Sequence, residues 1–283
     1  MNNAQPHIVT VMQTRLGSSR LPGKTMLPLA GKPLFIRQLE RMKAARLCGT
    51  LVVATTKEPA DDTIEAVCIQ EDIPCFRGHA SDLLDRHYRL AKLYEADIVL
   101  KIPSDCPLID PRVIDKVIRC FLDNRHLYDY VSNLHPATYP DGNDVEIMSF
   151  KTLEQAWRQA KRSFEREHTT PYIWERPDSF RIGNVVMDDG LDYSLVHRWT
   201  IDYAEDYQFI RAVYDELYEE DNLFSMDSIL ELLQRRKDIY SINSRWAGVN
   251  WYRNHLDELK TISSSQTKLM DAGYDKTNSS AIN

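Results

Sequence analysis

Short, apolar, β-rich runs alternate with stretches of helical periodicity through the first half of the chain, and this constrains the fold more than any other feature. Residues 8–13 (IVTVMQ), 51–56 (LVVATT), 74–76 and 97–102 (DIVLKI) read as strands. Between them, Leu34, Ile36, Leu39, Met42 and Leu47 mark one amphipathic helix, and 61–71 and about 81–94 read as two more. The first run carries no charge, as a strand buried on both faces requires. Asp110-Pro111 opens a further helix, because Asp caps well and Pro suits the first helical position. Such alternation predicts an α/β fold with a mainly parallel sheet and helices on both faces. After about residue 133 the pattern loosens. YPDGNDVEIMSF predicts a turn and a strand, 151–161, 163–175, 204–219 and 226–236 predict helices, and 180–187 and 198–201 predict strands. Residues 261–283 contain ten Ser, Thr or Asn and read as a mobile tail after a domain spanning 1–260.

Bulk properties narrow the function. No apolar run is long enough to cross a membrane, and the N-terminus lacks the basic-then-apolar order of a secretion signal, so a cytoplasmic location is expected. The five cysteines never form C-x-x-C and read as reduced thiols. A net charge of -7 argues against a general nucleic-acid binder. Residues 1–39, however, hold five Lys or Arg and no acid, whereas the remainder carries 30 cations against 42 anions. A basic island in an acidic chain points to a compact anionic ligand; chance clustering is the alternative.

The island centres on the segment from Gln13 to Thr25, QTRLGSSRLPGKT, which leaves the first strand. Ligands of open α/β sheets sit beyond the carboxyl ends of strands. Glycines there let backbone N–H groups approach phosphate oxygens, and Arg and Lys neutralise them. The spacing from Gly17 to Gly23 is one residue too long for a P-loop, and Pro28 and Pro33 delay the helix that a P-loop enters directly. A polyphosphate cradle of another design is therefore expected, with a basic surface loop as the alternative.

Read as Q-x-R-x-G-S-x-R-L-P-G-K-x-x-x-x-L-x-G-K-P, residues 13–33 resemble the signature loop of the cytidylyltransferases that make CMP-Kdo and CMP-sialic acid, and of their relatives of the spore-coat polysaccharide biosynthesis type. The resemblance continues through FRG (76–78), LLDR (83–86), SDCPLIDP (104–111), YPDGNDVE (139–146), REHTTPYI (166–173) and RWTIDYAED (198–206). It implies a Rossmann-like nucleotidyltransferase fold with a dimerising insertion at about 134–197, hence a homodimer. It also implies that Gln13, Arg15, Gly17, Ser19, Arg20 and Lys24 hold CTP, with Lys24 stabilising charge on the α-phosphate as pyrophosphate leaves. Arg77, Gly78 and Ser81 stand where such enzymes contact base or ribose. Asp141, Asn143, Asp144, Glu146, Arg166 and His168 are implied to meet a small anionic or hydroxylated acceptor. For Asp141 an ordinary turn, for Arg166 an exposed helix pair and for His168 a packed or dimer-interface histidine are the alternatives.

Asp105 and Asp202 each follow a predicted strand, at the presumed ligand edge of the sheet. Mg2+ is commonly held by one or two carboxylates together with substrate phosphates, and the resemblance assigns it to this pair. Capping of the helix at 204 is the alternative for Asp202, whereas Asp110 is assigned to capping alone. The chain has Ser104 and Tyr203-Ala204 where relatives carry Gly before the first aspartate and Thr-Pro after the second. The implied reaction is attack by an acceptor oxygen on the CTP α-phosphorus, without a covalent enzyme intermediate. A glycosyltransferase of related topology and a non-catalytic nucleotide-binding protein are the competing readings.

Overall fold

The computed structural model describes residues 5–269. Strand β1 (Ile8–Gln13) shows why the apolar runs become central strands: Ile8 and Met12 enter one buried cluster while Val9 and Val11 enter another. Next come a two-stranded ribbon, β2 (Pro28–Leu29) with β3 (Lys32–Pro33), helix α1 (Leu34–Lys43) and β4 (Thr50–Thr56). Helix α2 (Asp62–Gln70), β5 (Cys75–Gly78), α3 (Leu83–Leu93), β6 (Ile98–Pro103) and α4 (Pro111–Asp123) continue the alternation. The second half adds β7 (Tyr130–Ser132), β8 (Glu146–Ser149), α5 (Phe150–Gln159), α6 (Ser163–His168), α7 (Pro171–Trp174) and β9 (Ile182–Asn184). Helices α8 (Ala204–Leu217), α9 (Met226–Arg235) and α10 (Lys237–Ser241) complete it.

The large sheet has the order β5-β4-β1-β6-β8-β7-β9. β8 runs antiparallel to both neighbours while the other four pairings are parallel, so the sheet is mixed and, as expected, mainly parallel. Helices α1, α2, α4, α8 and α9 contribute to the cluster on one face, and α3, α5, α6 and α7 to the cluster on the other. The chain leaves β1 toward β4 on one side and later adds β6 on the other. The crevice at this switch point lies between Gln13 and Pro103, register partners at the carboxyl ends of their strands.

Four expectations need correction. Residues 198–201 form no strand; Trp199 and Ile201 instead donate backbone hydrogen bonds to the carbonyls of Asp141 and Asp105, at 2.6 and 3.0 Å. The helix expected over 163–175 breaks between α6 and α7, where Thr169 adopts a φ of 73°. The strand expected over 180–187 is only β9. The expected tail begins too early: Ile262 is buried, Thr261 N–H donates to Glu175 and Lys268 N–H to the Gly248 carbonyl. The rest of that tail, 270–283, lies outside the described residues. All five cysteines are free thiols, and no described helix is long and apolar enough to cross a membrane.

Candidate active site

A cavity of about 600 Å³ opens at the switch-point crevice. The basic loop forms one wall. It turns back on itself, with the Gly23 N–H bonded to the Leu16 carbonyl at 3.1 Å. Gly23 takes a φ of 69°, a left-handed conformation that glycine adopts without the Cβ penalty, at the entry to a short 3-10 turn over Lys24–Met26. Asp61, buried beside the end of β4, accepts from the Leu16 N–H at 2.8 Å and from the Thr56 hydroxyl, tying the loop to the sheet.

Lys24 is thereby directed inward. Its ammonium donates to the Ile201 carbonyl at 2.5 Å, Asp202 Oδ1 at 3.0 Å and Asp105 Oδ2 at 3.4 Å. The two aspartates come from loops 97 residues apart in the chain. They are brought side by side by the bond from Ile201 N–H to the Asp105 carbonyl and a second, at 3.0 Å, from the Thr200 hydroxyl to the same oxygen. Arg20 adds a 2.7 Å contact to Asp202 Oδ1. Burial opposes charging of Lys24, but Asp105 and Asp202 outweigh it and raise its pKa. Burial would likewise raise the Asp202 carboxyl, yet Lys24, Arg20 and Arg198 hold it well below the usual carboxylate range.

Asp202 does not cap α8. Asp206 does so, accepting from the N–H groups of Asp202 and Tyr203 at 2.9 and 3.0 Å. Arg198 binds Asp206 and also reaches Asp202 Oδ2 and Asp141 Oδ2, each at 3.3 Å. Asp110 does cap α4, accepting from the Arg112 N–H at 2.7 Å, and in addition accepts from the Met226 N–H at 2.8 Å.

Asp141, Asp144 and Glu146 line the cavity beyond this cluster. Gly142 sits where a Cβ would lie 2.7 Å from the Trp199 carbonyl carbon, so the turn that presents Asp141 and Asp144 requires glycine. Burial pushes the Asp141 carboxyl well up against the pull of Arg198, and burial followed by Asp105 raises Asp144 to about 6. Glu146 lies opposite Lys101 in the β6–β8 register, pairs with its ammonium and accepts from the Tyr130 hydroxyl at 2.6 Å. His168 stacks on Trp251, centroids 3.8 Å apart and rings 11° from parallel. Burial, then Lys101 and His255, lower its pKa to about 3, so the ring is neutral near pH 7.

Among the expected nucleotide residues, Gln13, Arg15, Ser19, Arg20 and Lys24 line the cavity. Gln13 Oε1, with the Thr14 and Thr25 hydroxyl oxygens, is buried without a hydrogen-bond partner. Gly17 does not reach the lining, nor do Arg77, Gly78 and Ser81. Arg77 is held by Asp62, Glu65 and the carbonyls of Thr56 and Glu58. Arg166 is also outside, bound to Asp82 at 2.6 Å, and Asn143 is a buried brace whose Oδ1 accepts from the Asp110 N–H at 3.0 Å. Sequence reasoning passed over Arg198, Asp61, Lys101 and Trp251. An arginine in a buried run with acids four and eight residues later was a readable signal for Arg198. Trp251 and the rest of the wall over 248–255 had none, because that segment carries no periodic pattern.

Among the described residues, no group of three or more His, Cys, Asp or Glu is arranged to hold a metal. Asp105 and Asp202 each present a carboxylate oxygen to the Lys24 ammonium, at 3.4 and 3.0 Å, and two such hard donors could hold a divalent cation together with substrate phosphates.

A family model described as cytidylyltransferase matches residues 9–262. An uncharacterised protein of Methanocaldococcus jannaschii is 34% identical over 239 residues, 84% of this chain and 94% of that one. The spore coat polysaccharide biosynthesis protein SpsF of Bacillus subtilis is 30% identical over 236 residues, 82% of this chain and 95% of that one. The structure of a cytidylyltransferase from Leptospira borgpetersenii superposes with a TM-score of 0.76 at 32% identity, covering 83% of this chain and 95% of that one.

Proposed function

This chain belongs to the cytidylyltransferase family, and on that premise we propose that it transfers CMP from CTP to a small sugar-acid, sugar-phosphate or polyol-phosphate acceptor, releasing pyrophosphate. The observation that carries the proposal is the convergence of Lys24, Asp105 and Asp202 beside a glycine-containing basic loop at the switch point of the sheet. Arg15, Ser19, Arg20 and Lys24 would bind the triphosphate, and Lys24 would meet the charge that grows on the α-phosphate as pyrophosphate departs. Asp105 and Asp202 would hold Mg2+, which when bound relieves phosphate repulsion toward the incoming oxygen.

The acceptor would occupy the far end of the cavity, between Asp141 and Asp144 on one side and the His168–Trp251 stack on the other. Carboxylates accept hydrogen bonds from hydroxyls, and an aromatic face suits the CH surface of a sugar. A role in cell-surface polysaccharide biosynthesis is supported by the printed name of the Bacillus subtilis relative. A homodimer through the insertion belongs to the same reading, supported by exposed Val186, Leu191, Leu195 and Val196 within that segment. Pyrophosphate release with CTP and Mg2+ against a panel of sugar acids, sugar phosphates and polyol phosphates tests the function. Release that requires none of them, or no release from CTP together with glycosyl transfer from a sugar nucleotide that liberates the nucleoside diphosphate, would overturn it.

A further inference from the structure

The Lys24 ammonium has three N–H donors and three oxygen acceptors: the Ile201 carbonyl at 2.5 Å, Asp202 Oδ1 at 3.0 Å and Asp105 Oδ2 at 3.4 Å. All its donors are therefore engaged inside the protein, and its side chain is only 11% exposed. These acceptors come from two separate loops, and two of them are the carboxylates to which the divalent cation is assigned. A lysine so placed cannot bind a phosphate without releasing at least one of these oxygens. A divalent cation cannot bridge the two carboxylates while the ammonium remains between them, because like charges at such a separation repel strongly in a partly buried site.

We propose that in the nucleotide-free chain Lys24 itself fills the cation position shared by Asp105 and Asp202. The metal is then excluded until a triphosphate draws Lys24 away. This inference rests on the metal-dependent reading above. Lys24 acts as a counter-ion that keeps the two loops assembled in the resting state. It becomes a phosphate ligand when the nucleotide arrives, and that movement frees the carboxylates. Arg20, 46% exposed and also on Asp202 Oδ1, can make the same transfer from its position at the rim. The consequence is an obligatory order: metal enters with or after nucleotide, never before it.

Mn2+ alone is the probe, with bound ion followed by loss of the free-ion electron paramagnetic resonance signal. The variants are Lys24→Met and Lys24→Gln, the second keeping a donor for the Ile201 carbonyl should the first fail to fold. Removing one positive charge next to both carboxylates should tighten binding of Mn2+ alone by roughly tenfold to a hundredfold relative to wild type. Adding Asp202→Asn to either variant should abolish that gain. Wild-type binding of Mn2+ alone as tight as in the folded variant would overturn the proposal, as would a gain that survives Asp202→Asn. No binding of Mn2+ alone to the variant would overturn it too. In each case CTP affinity for wild type, with and without Mn2+, is measured in parallel: equal values would mean that the metal-dependent reading itself has failed, and tighter binding with Mn2+ that only the Lys24 inference has.

Discussion

Arg198 and Asp206 form a buried ion pair, with Nε to Oδ1 at 2.9 Å and a terminal guanidinium nitrogen to Oδ2 at 3.1 Å. The pair joins the segment that presents Asp202 to the first turn of α8, and Asn243 adds a 2.9 Å bond to the same carboxylate. The geometry of the candidate site and folding stability are linked through it, because Arg198 also contacts Asp202 and Asp141.

Removing Arg198 leaves the buried Asp206 carboxylate without a cation, and removing Asp206 leaves Arg198 with only its longer carboxylate contacts, at 3.3 Å, to Asp202 and Asp141. Arg198→Ala or Asp206→Ala should each cost about 3–5 kcal/mol of unfolding free energy. The double variant should lose less than the sum, since the two act as one unit. Chemical denaturation of the two single variants and the double variant measures both; additive losses would show that the pair is not coupled.

Lys24→Ala should affect turnover more than folding. Asp202 keeps Arg20 and Arg198 as counter-ions, so the fold retains compensation. The loss of charge stabilisation at the α-phosphate should lower kcat by about 100- to 1,000-fold. Steady-state pyrophosphate release alongside a thermal melt separates the two effects.

The Asp144 carboxyl, raised to about 6 in the fold, gives a pH-dependent stability with a defined sign. Between the ordinary carboxylate value near 4 and the folded value, the folded state binds more protons than the unfolded one, so this group's contribution to stability falls as pH rises. Asp144→Asn removes that cost. The variant should match wild type below about pH 4 and exceed it by about 1–2 kcal/mol above pH 6, the figure being reduced for partial solvent access. Unfolding free energies over this range, without nucleotide or metal, test it; a difference independent of pH would place the ionisation elsewhere.

Truncation after Lys260 should destabilise the protein. It removes the buried Ile262 side chain, the Thr261 bonds to Glu175 and the 2.7 Å bond from Lys268 N–H to the Gly248 carbonyl. Loss of the isoleucine alone amounts to about 1.5–3 kcal/mol. Because Ser265 and Gln266 line the cavity, ligand affinity should fall as well. A melting temperature equal to that of the full chain would mean that this segment contributes nothing to the fold.

The sequence by itself determined the α/β alternation, the identity of the basic loop and the two aspartates at the sheet's ligand edge. These are local properties: periodicity records which faces of a strand or helix are buried, and glycine, proline and charge within a few residues record what a loop can bind. Asp110-Pro111 was legible for the same reason, since a cap and the helix it starts are neighbours in the chain. What only the tertiary structure decided are the relationships between distant segments. The antiparallel insertion of β8 depends on which edge the later chain finds beside β6. The diversion of Arg77 and Arg166 into ion pairs depends on acids brought alongside by folding. So too do the wall built from 248–255 and the placement of Lys24 between Asp105 and Asp202. A charged side chain is committed to whichever opposite charge packing brings within about 4 Å, and no pattern along the chain encodes that distance.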